Sequence, residues 1–108
     1  MRKRSHPWID RRGLEMARAI AEKLRADPTL VEVARRNLRR WKESLSEWPK
    51  ALEEWERILG RASLEELLEI LLDPSDDGCR RRQSSPFTGI LTRQERKAIF
   101  EGHEKVGT

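Results

Sequence analysis

A run of large apolar residues in the second quarter of the chain constrains its fold more than any other feature. Leu30, Ala34, Leu38, Trp41, Leu45 and Trp48 recur at spacings of 4, 4, 3, 4 and 3. Positions three and four apart share a stripe on a helix, whereas strand side chains repeat every second residue. The spacing predicts a helix from Pro28 to about Trp48, with Glu32, Arg35, Arg36, Arg39, Arg40 and Lys42 on the opposite face. Pro49 breaks or kinks that run, because proline lacks the N–H and its ring clashes with the preceding turn.

The same reading organises the rest of the chain. A first helix is expected from about Asp10 to Ala26, with Leu14, Ala17, Ala21 and Leu24 on one stripe, Met16 and Ile20 beside it, and Gly13 weakening its first turn. Asp27-Pro28 ends it and starts the next, with Asp27 as cap and Pro28 at the first position. A third helix from Pro49 to Leu59 places Leu52, Trp55 and Leu59 on one side, before Gly60. Ser63 and Glu66 have the spacing of a capping box, opening a helix that buries Leu64, Leu67, Leu68, Leu71 and Leu72 and stops at Asp73-Pro74. Ser75 and Asp76 cap a short turn through Arg82. Gln83 to Leu91 mixes turn formers with three large apolar residues and reads as an ordered loop. Thr92 and Glu95 form a second capping box, and the last helix buries Ile99 and Phe100 before fraying at Gly102. No segment alternates with period two. The expected fold is all-α, a small bundle of four to five short helices with an ordered loop before the last helix. Residues 1–9 read as a basic arm, 10–101 as one helical domain, and 102–108 as a frayed tail.

A chain of 108 residues holds one domain at most, and here 39% of residues are charged against 36% hydrophobic. That makes a thin core, of the kind often completed by a partner. The net charge of +4 hides three blocks. Met1 to Lys42 holds 13 Lys and Arg against 5 Asp and Glu, a net of +8; Glu43 to Gly78 holds 3 against 11, a net of −8; the remainder holds 7 against 3, a net of +4. Such asymmetry points to a polyanion, an acidic partner, or packing of one block against another. The single cysteine, Cys79, excludes an internal disulfide. No apolar run approaches the roughly 18 residues of a membrane span, and no hydrophobic stretch follows the basic N-terminus as in a secretion signal. A cytoplasmic location is the expectation, with no membrane partner.

The sequence offers little for catalysis. His6 and His103 lie in the terminal segments, no cluster has metal-ligand spacing, and no glycine-rich loop precedes a lysine. Catalytic, cofactor and metal residues are therefore expected to be none. The pairs Glu53-Glu54 and Glu65-Glu66 read as a solvated face and a capping box. Cys79 has no histidine nearby in sequence; Arg80, Arg81 and Arg82 beside it favour a thiolate, against the plainer reading of a semi-exposed, inert thiol.

Binding residues are easier to nominate. Of the four tryptophans, Trp41 and Trp55 are assigned to the core. Trp8, in a short proline-bound segment, and Trp48 are assigned to an interface, where tryptophan is enriched. Pro86, Phe87, Ile90 and Leu91 give the loop more apolar surface than a connection needs, and Arg80, Arg81 and Arg82 before them suit an acidic groove. The competing assignment has Phe87 and Leu91 plugging the end of the bundle. Arg35, Arg36, Arg39 and Arg40 form one ridge on the second helix and are the nucleic-acid candidates. The plainer reading of that ridge is a solvated face, with Glu32 pairing Arg35 and Arg36, and Glu43 pairing Arg39 and Arg40. The stretch Pro28 to Arg36 is similar to the first helix of a helix-turn-helix unit, but Asn37 to Trp41 continue the helix where a glycine turn belongs.

Ser5-His6-Pro7-Trp8-Ile9-Asp10, the run from Lys23 to Trp41, and Arg82 to Thr92 together span most of the chain. They resemble a group of small bacterial proteins that look like the antitoxin halves of toxin–antitoxin pairs. The resemblance implies a non-catalytic protein that binds and neutralises a toxin enzyme, with autoregulatory DNA binding as an accompaniment, although the chain carries no ribbon-helix-helix pattern. Nucleic-acid regulation through the arginine ridge is the alternative.

Overall fold

A computed structural model describes the backbone of residues 7–107 and the side chains of residues 11–101. Six helices follow one another: α1 (Pro7–Ala26), α2 (Val31–Ser44), α3 (Lys50–Arg61), α4 (Leu64–Leu71), α5 (Asp76–Arg82) and α6 (Arg93–Gly107). A single 3₁₀ turn, Pro28–Leu30, joins α1 to α2, and no strand occurs among the described residues. The fold is all-α, with one helix more than the four to five expected. The extra helix is α5, in place of the expected short turn; the Ser75 hydroxyl accepts the Gly78 N–H at 3.2 Å and caps it.

Most boundaries lie where local chemistry sets them. Asp27 accepts the Thr29 N–H at 3.1 Å and starts the 3₁₀ turn, with Pro28 at its first position. Ser63 and Glu66 close a capping box at 3.2 and 3.0 Å, and Thr92 and Glu95 close another at 3.0 and 2.7 Å. Three boundaries differ from expectation, besides that of α3, which runs through Gly60 to Arg61 and is closed by Ala62. α1 begins at Pro7, inside the supposed arm, since proline at a first helical position has no N–H to leave unsatisfied. α6 continues through Gly102 to Gly107, the surrounding helix formers outweighing a glycine cost of about 1 kcal/mol. The third concerns α2. It ends at Ser44, and Leu45 turns extended (φ −93°, ψ 134°) and lies exposed, so the apolar seam does not run on to Trp48. Pro49 disfavours helical geometry at Trp48 and removes the donor that would extend the ladder.

The core is built on Ala17, Ile20, Ala21 and Leu24 of α1, Ala34 and Leu38 of α2, Trp55 and Leu59 of α3, and Leu67, Leu68 and Leu71 of α4. Trp55 is its centre at 1% exposure, edge-on to Phe87 at 6.1 Å between ring centroids. Trp41, expected in the core, is half-buried and packs on the flank of that cluster. α1 runs against α4, α5 and α6, while α3 lies alongside α2; α3 makes no comparable backbone approach to α4 or α5. Two glycines are required by geometry. Gly89 holds φ +93°, and a Cβ on Gly78 would collide with the carbonyl oxygen of Asp73.

The segment between α5 and α6 is pinned from two sides. The Asn37 side-chain amide, 5% exposed, donates to the carbonyls of Pro86 (2.8 Å) and Thr88 (2.9 Å). The Lys23 ammonium donates to the Ile90 carbonyl at 2.9 Å and pairs with Glu95 at 2.6 Å.

Candidate interaction surface

The structure withdraws most of the C-terminal residues nominated for a partner. Pro86, Phe87, Ile90 and Leu91 are buried at 8% exposure or less, so they belong to the core. The reason is Asn37: it satisfies two loop carbonyls, which lets the apolar side chains turn inward without stranding the backbone. That corresponds to the plug at the bundle end. Arg80, Arg81 and Arg82 are also engaged. Arg80 grips Glu54 through both oxygens (2.9 and 3.3 Å). Arg81 reaches Glu54 at 3.2 Å and Asp73 at 3.3 Å, and Arg82 donates to the carbonyls of Leu71 and Asp73. Glu54 is thus no idle member of a solvated face. Its hydrogen bond from Arg80 holds its carboxyl below the ordinary range, helped by Arg81 and opposed by partial burial. Cys79 is buried, not semi-exposed.

Trp48 stays half-buried at the junction of α2 and α3, where its indole N–H donates to Glu56 at 3.2 Å and the Lys42 ammonium stands 5.2 Å from its ring. The side chain of Trp8 lies outside the described residues, as do those of His6 and His103. The ridge on α2 is divided. Arg35 pairs with Glu32 and donates to the Leu59 backbone carbonyl at 3.0 Å, and Arg40 donates to the Asn37 side-chain amide oxygen (Oδ1) at 2.9 Å. Arg36 and Arg39 are exposed and without a partner among the described residues; Glu43 pairs with neither Arg39 nor Arg40.

A further surface lies on the other flank of α3. An open groove of about 620 Å³ runs between α3 and the α4–α5 end of the molecule. Ala51, Ile58 and Ala62 form one wall with Ile70 of α4, and Lys50, Arg57 and Arg61 line it as well. Those three cations are exposed and make no ion pair or hydrogen bond among the described residues. The acids that share the groove are already occupied: Glu54 by Arg80 and Arg81, and Glu66 by the Ser63 N–H that closes the capping box. That backbone hydrogen bond lowers the pKa of Glu66 in the same direction as Glu54. The signal in the sequence is a second stripe, Ala51 and Ile58 on α3 and Ala62 just past its end, set one residue from the stripe that faces the core.

Among the described residues no group of three His, Cys, Asp or Glu side chains is placed to hold a metal ion, and no helix is long and apolar enough to cross a membrane. No protein-family model, curated protein or solved structure matches this chain.

Proposed function

We propose that the chain is a non-catalytic, antitoxin-like interaction protein whose cognate partner is a toxin protein. One observation carries the reading: an open groove with an apolar floor is edged by three unpartnered cations, while the acids that share it, Glu54 and Glu66, are bonded within the chain. Half-buried aliphatic surface rimmed by polar groups is the usual form of a protein-docking patch. The reading is tested by co-expressing the chain with the product of the neighbouring gene. Relief of growth arrest together with a complex that co-purifies supports it; arrest that persists without any complex refutes it.

A second reading has its own observation. Arg36 and Arg39 stand exposed and unpaired on α2, one turn apart, as phosphate contacts do. Salt separates the two. Phosphate binding weakens log-linearly with salt in proportion to the phosphates contacted, whereas docking on an apolar floor retains most of its affinity. Duplex retention that collapses with salt and with Arg36→Glu/Arg39→Glu favours nucleic-acid binding.

A further inference from the structure

The α3 groove has three properties that together specify its occupant. Its floor is aliphatic and shallow, because Ala51 and Ala62 flank Ile58 and leave space above the α3 backbone. Small side chains at a contact let helix axes approach toward the near end of their usual 8–10 Å separation. Its rim carries free positive charge, since the groove's acids are bonded internally while Lys50, Arg57 and Arg61 are not. Its walls are helices, whose backbone donors and acceptors are consumed within their own turns, so an extended strand finds no edge to pair with. A helix arrives with its own backbone satisfied.

We propose that this groove receives an acidic amphipathic helix from a protein partner, its aliphatic face on Ile58 and the flanking alanines and its carboxylates on Lys50, Arg57 and Arg61. The proposal rests on the partner-binding reading and adds where the partner docks and what chemistry it presents. α3 has 12 residues, a length of about 18 Å, which three turns of an incoming helix match. Arg57 and Arg61 stand one turn apart, about 6 Å along the axis, and Lys50 lies two turns further back, about 10 Å. Glutamates spaced by one turn and then two therefore meet all three. A nucleic-acid backbone meets the same cations but has nothing to set on the apolar floor.

Fluorescence anisotropy on the full-length protein tests this at physiological salt. The probe is a labelled amphipathic peptide of roughly 18 residues, long enough to hold helix, made of Leu, Ala and Glu; its twin has Lys in place of Glu. The Glu peptide is expected to bind at least about tenfold tighter than the Lys twin, the direction that charge complementarity sets. Arg57→Glu/Arg61→Glu should invert that preference, and Ile58→Asp should abolish binding of the Glu peptide while circular dichroism stays helical. Equal affinity for the two peptides, no binding of the Glu peptide, or insensitivity to Arg57→Glu/Arg61→Glu overturns the proposal. So does sedimentation showing a dimer that Arg57→Glu/Arg61→Glu dissociates, which would make a second copy the occupant, or duplex DNA competing the Glu peptide off the same arginines. If Arg57→Glu/Arg61→Glu relieves growth arrest in co-expression as fully as the parent, the groove proposal falls and the partner-binding reading stands. If the parent gives no relief and no complex while the Glu peptide still binds, the antitoxin-like reading falls and the groove stands.

Discussion

Asn37→Ala probes the contact that decides whether the α5–α6 segment is core or surface. Asn37 is the one buried polar side chain among the described residues, and its amide bonds two carbonyls from a segment 49 and 51 residues away. Alanine removes both donors without crowding. The Pro86 carbonyl belongs to a residue less than 2% exposed, so it stays dry and unsatisfied, a cost of about 1–3 kcal/mol. Thr88 is exposed, its carbonyl gains water, and its loss is worth about 0.5–1 kcal/mol. The expected destabilisation is therefore about 1.5–4 kcal/mol. With an m-value of about 2 kcal/mol/M, the urea midpoint should fall by roughly 1–2 M at unchanged slope. Arg40→Ala is the control: Arg40 is exposed and only accepted by the other end of the same amide, so it should cost less than about 1 kcal/mol. An Asn37→Ala midpoint equal to the parent's would show that the segment is held by apolar contact alone, and the account of its inward turn would be wrong.

Trp55→Ala should cost about 3–5 kcal/mol, since it empties the centre of the core and strands the Arg81 carbonyl that its indole N–H reaches at 2.9 Å; Trp41→Ala, on the flank, should cost clearly less, and equal thermal shifts would contradict the burial difference. Gly78→Ala places a methyl against the Asp73 carbonyl and should destabilise by roughly 1–3 kcal/mol or more, read from chemical denaturation, whereas Gly60→Ala meets open space and should be neutral or stabilising. Stability should also fall in acid. Glu54, held low chiefly by Arg80, and Glu95, held low chiefly by Lys23, have folded-state pKa values below their unfolded ones, so their contribution is present above about pH 4–4.5 and lost as pH drops through the lowered values. Glu54→Gln should flatten that slope in urea titrations between neutral pH and about pH 3; an unchanged slope would discount the Arg80–Glu54–Arg81 cluster.

The sequence revealed boundaries better than destinations. Asp27-Pro28, Ser63 with Glu66, and Thr92 with Glu95 are local signals: the capping side chain and the N–H it satisfies lie within three residues, so spacing alone locates them. The end of α2 was masked because Leu45 and Trp48 continue the helical register by count. The backbone preference imposed at Trp48 by Pro49 outweighs that register, and the exposed Leu45 is the residue left behind. Phe87, Ile90 and Leu91 were ambiguous for a different reason. An apolar loop turns inward only if something else satisfies its carbonyls, and Asn37 and Lys23 lie far away in sequence, on helices where periodicity reads them as ordinary polar positions.

The same separation hides where the arginines of the C-terminal triplet go. Arg80, Arg81 and Arg82 are conspicuous as a triplet, yet the acid that takes up two of them, Glu54, sits 26 residues upstream in the oppositely charged block. Packing of one charge block against another thus occurs chiefly between the second and third blocks, through Glu54 and Asp73. The first block pairs mostly within itself, Arg18 with Glu15, Arg25 with Glu22 and Arg35 with Glu32, each one helical turn apart. Those exposed pairs are individually weak, on the order of a few tenths of a kcal/mol, and a competing partner could displace them at little cost. The Arg80–Glu54–Arg81 cluster, less exposed and bonded through both carboxylate oxygens, is harder to open. Its effect on α3 is to neutralise the single acid in a row otherwise made of Lys50, Arg57 and Arg61. A helix in the net-negative block thereby presents a positive face, and that inversion exists only once the chain has folded.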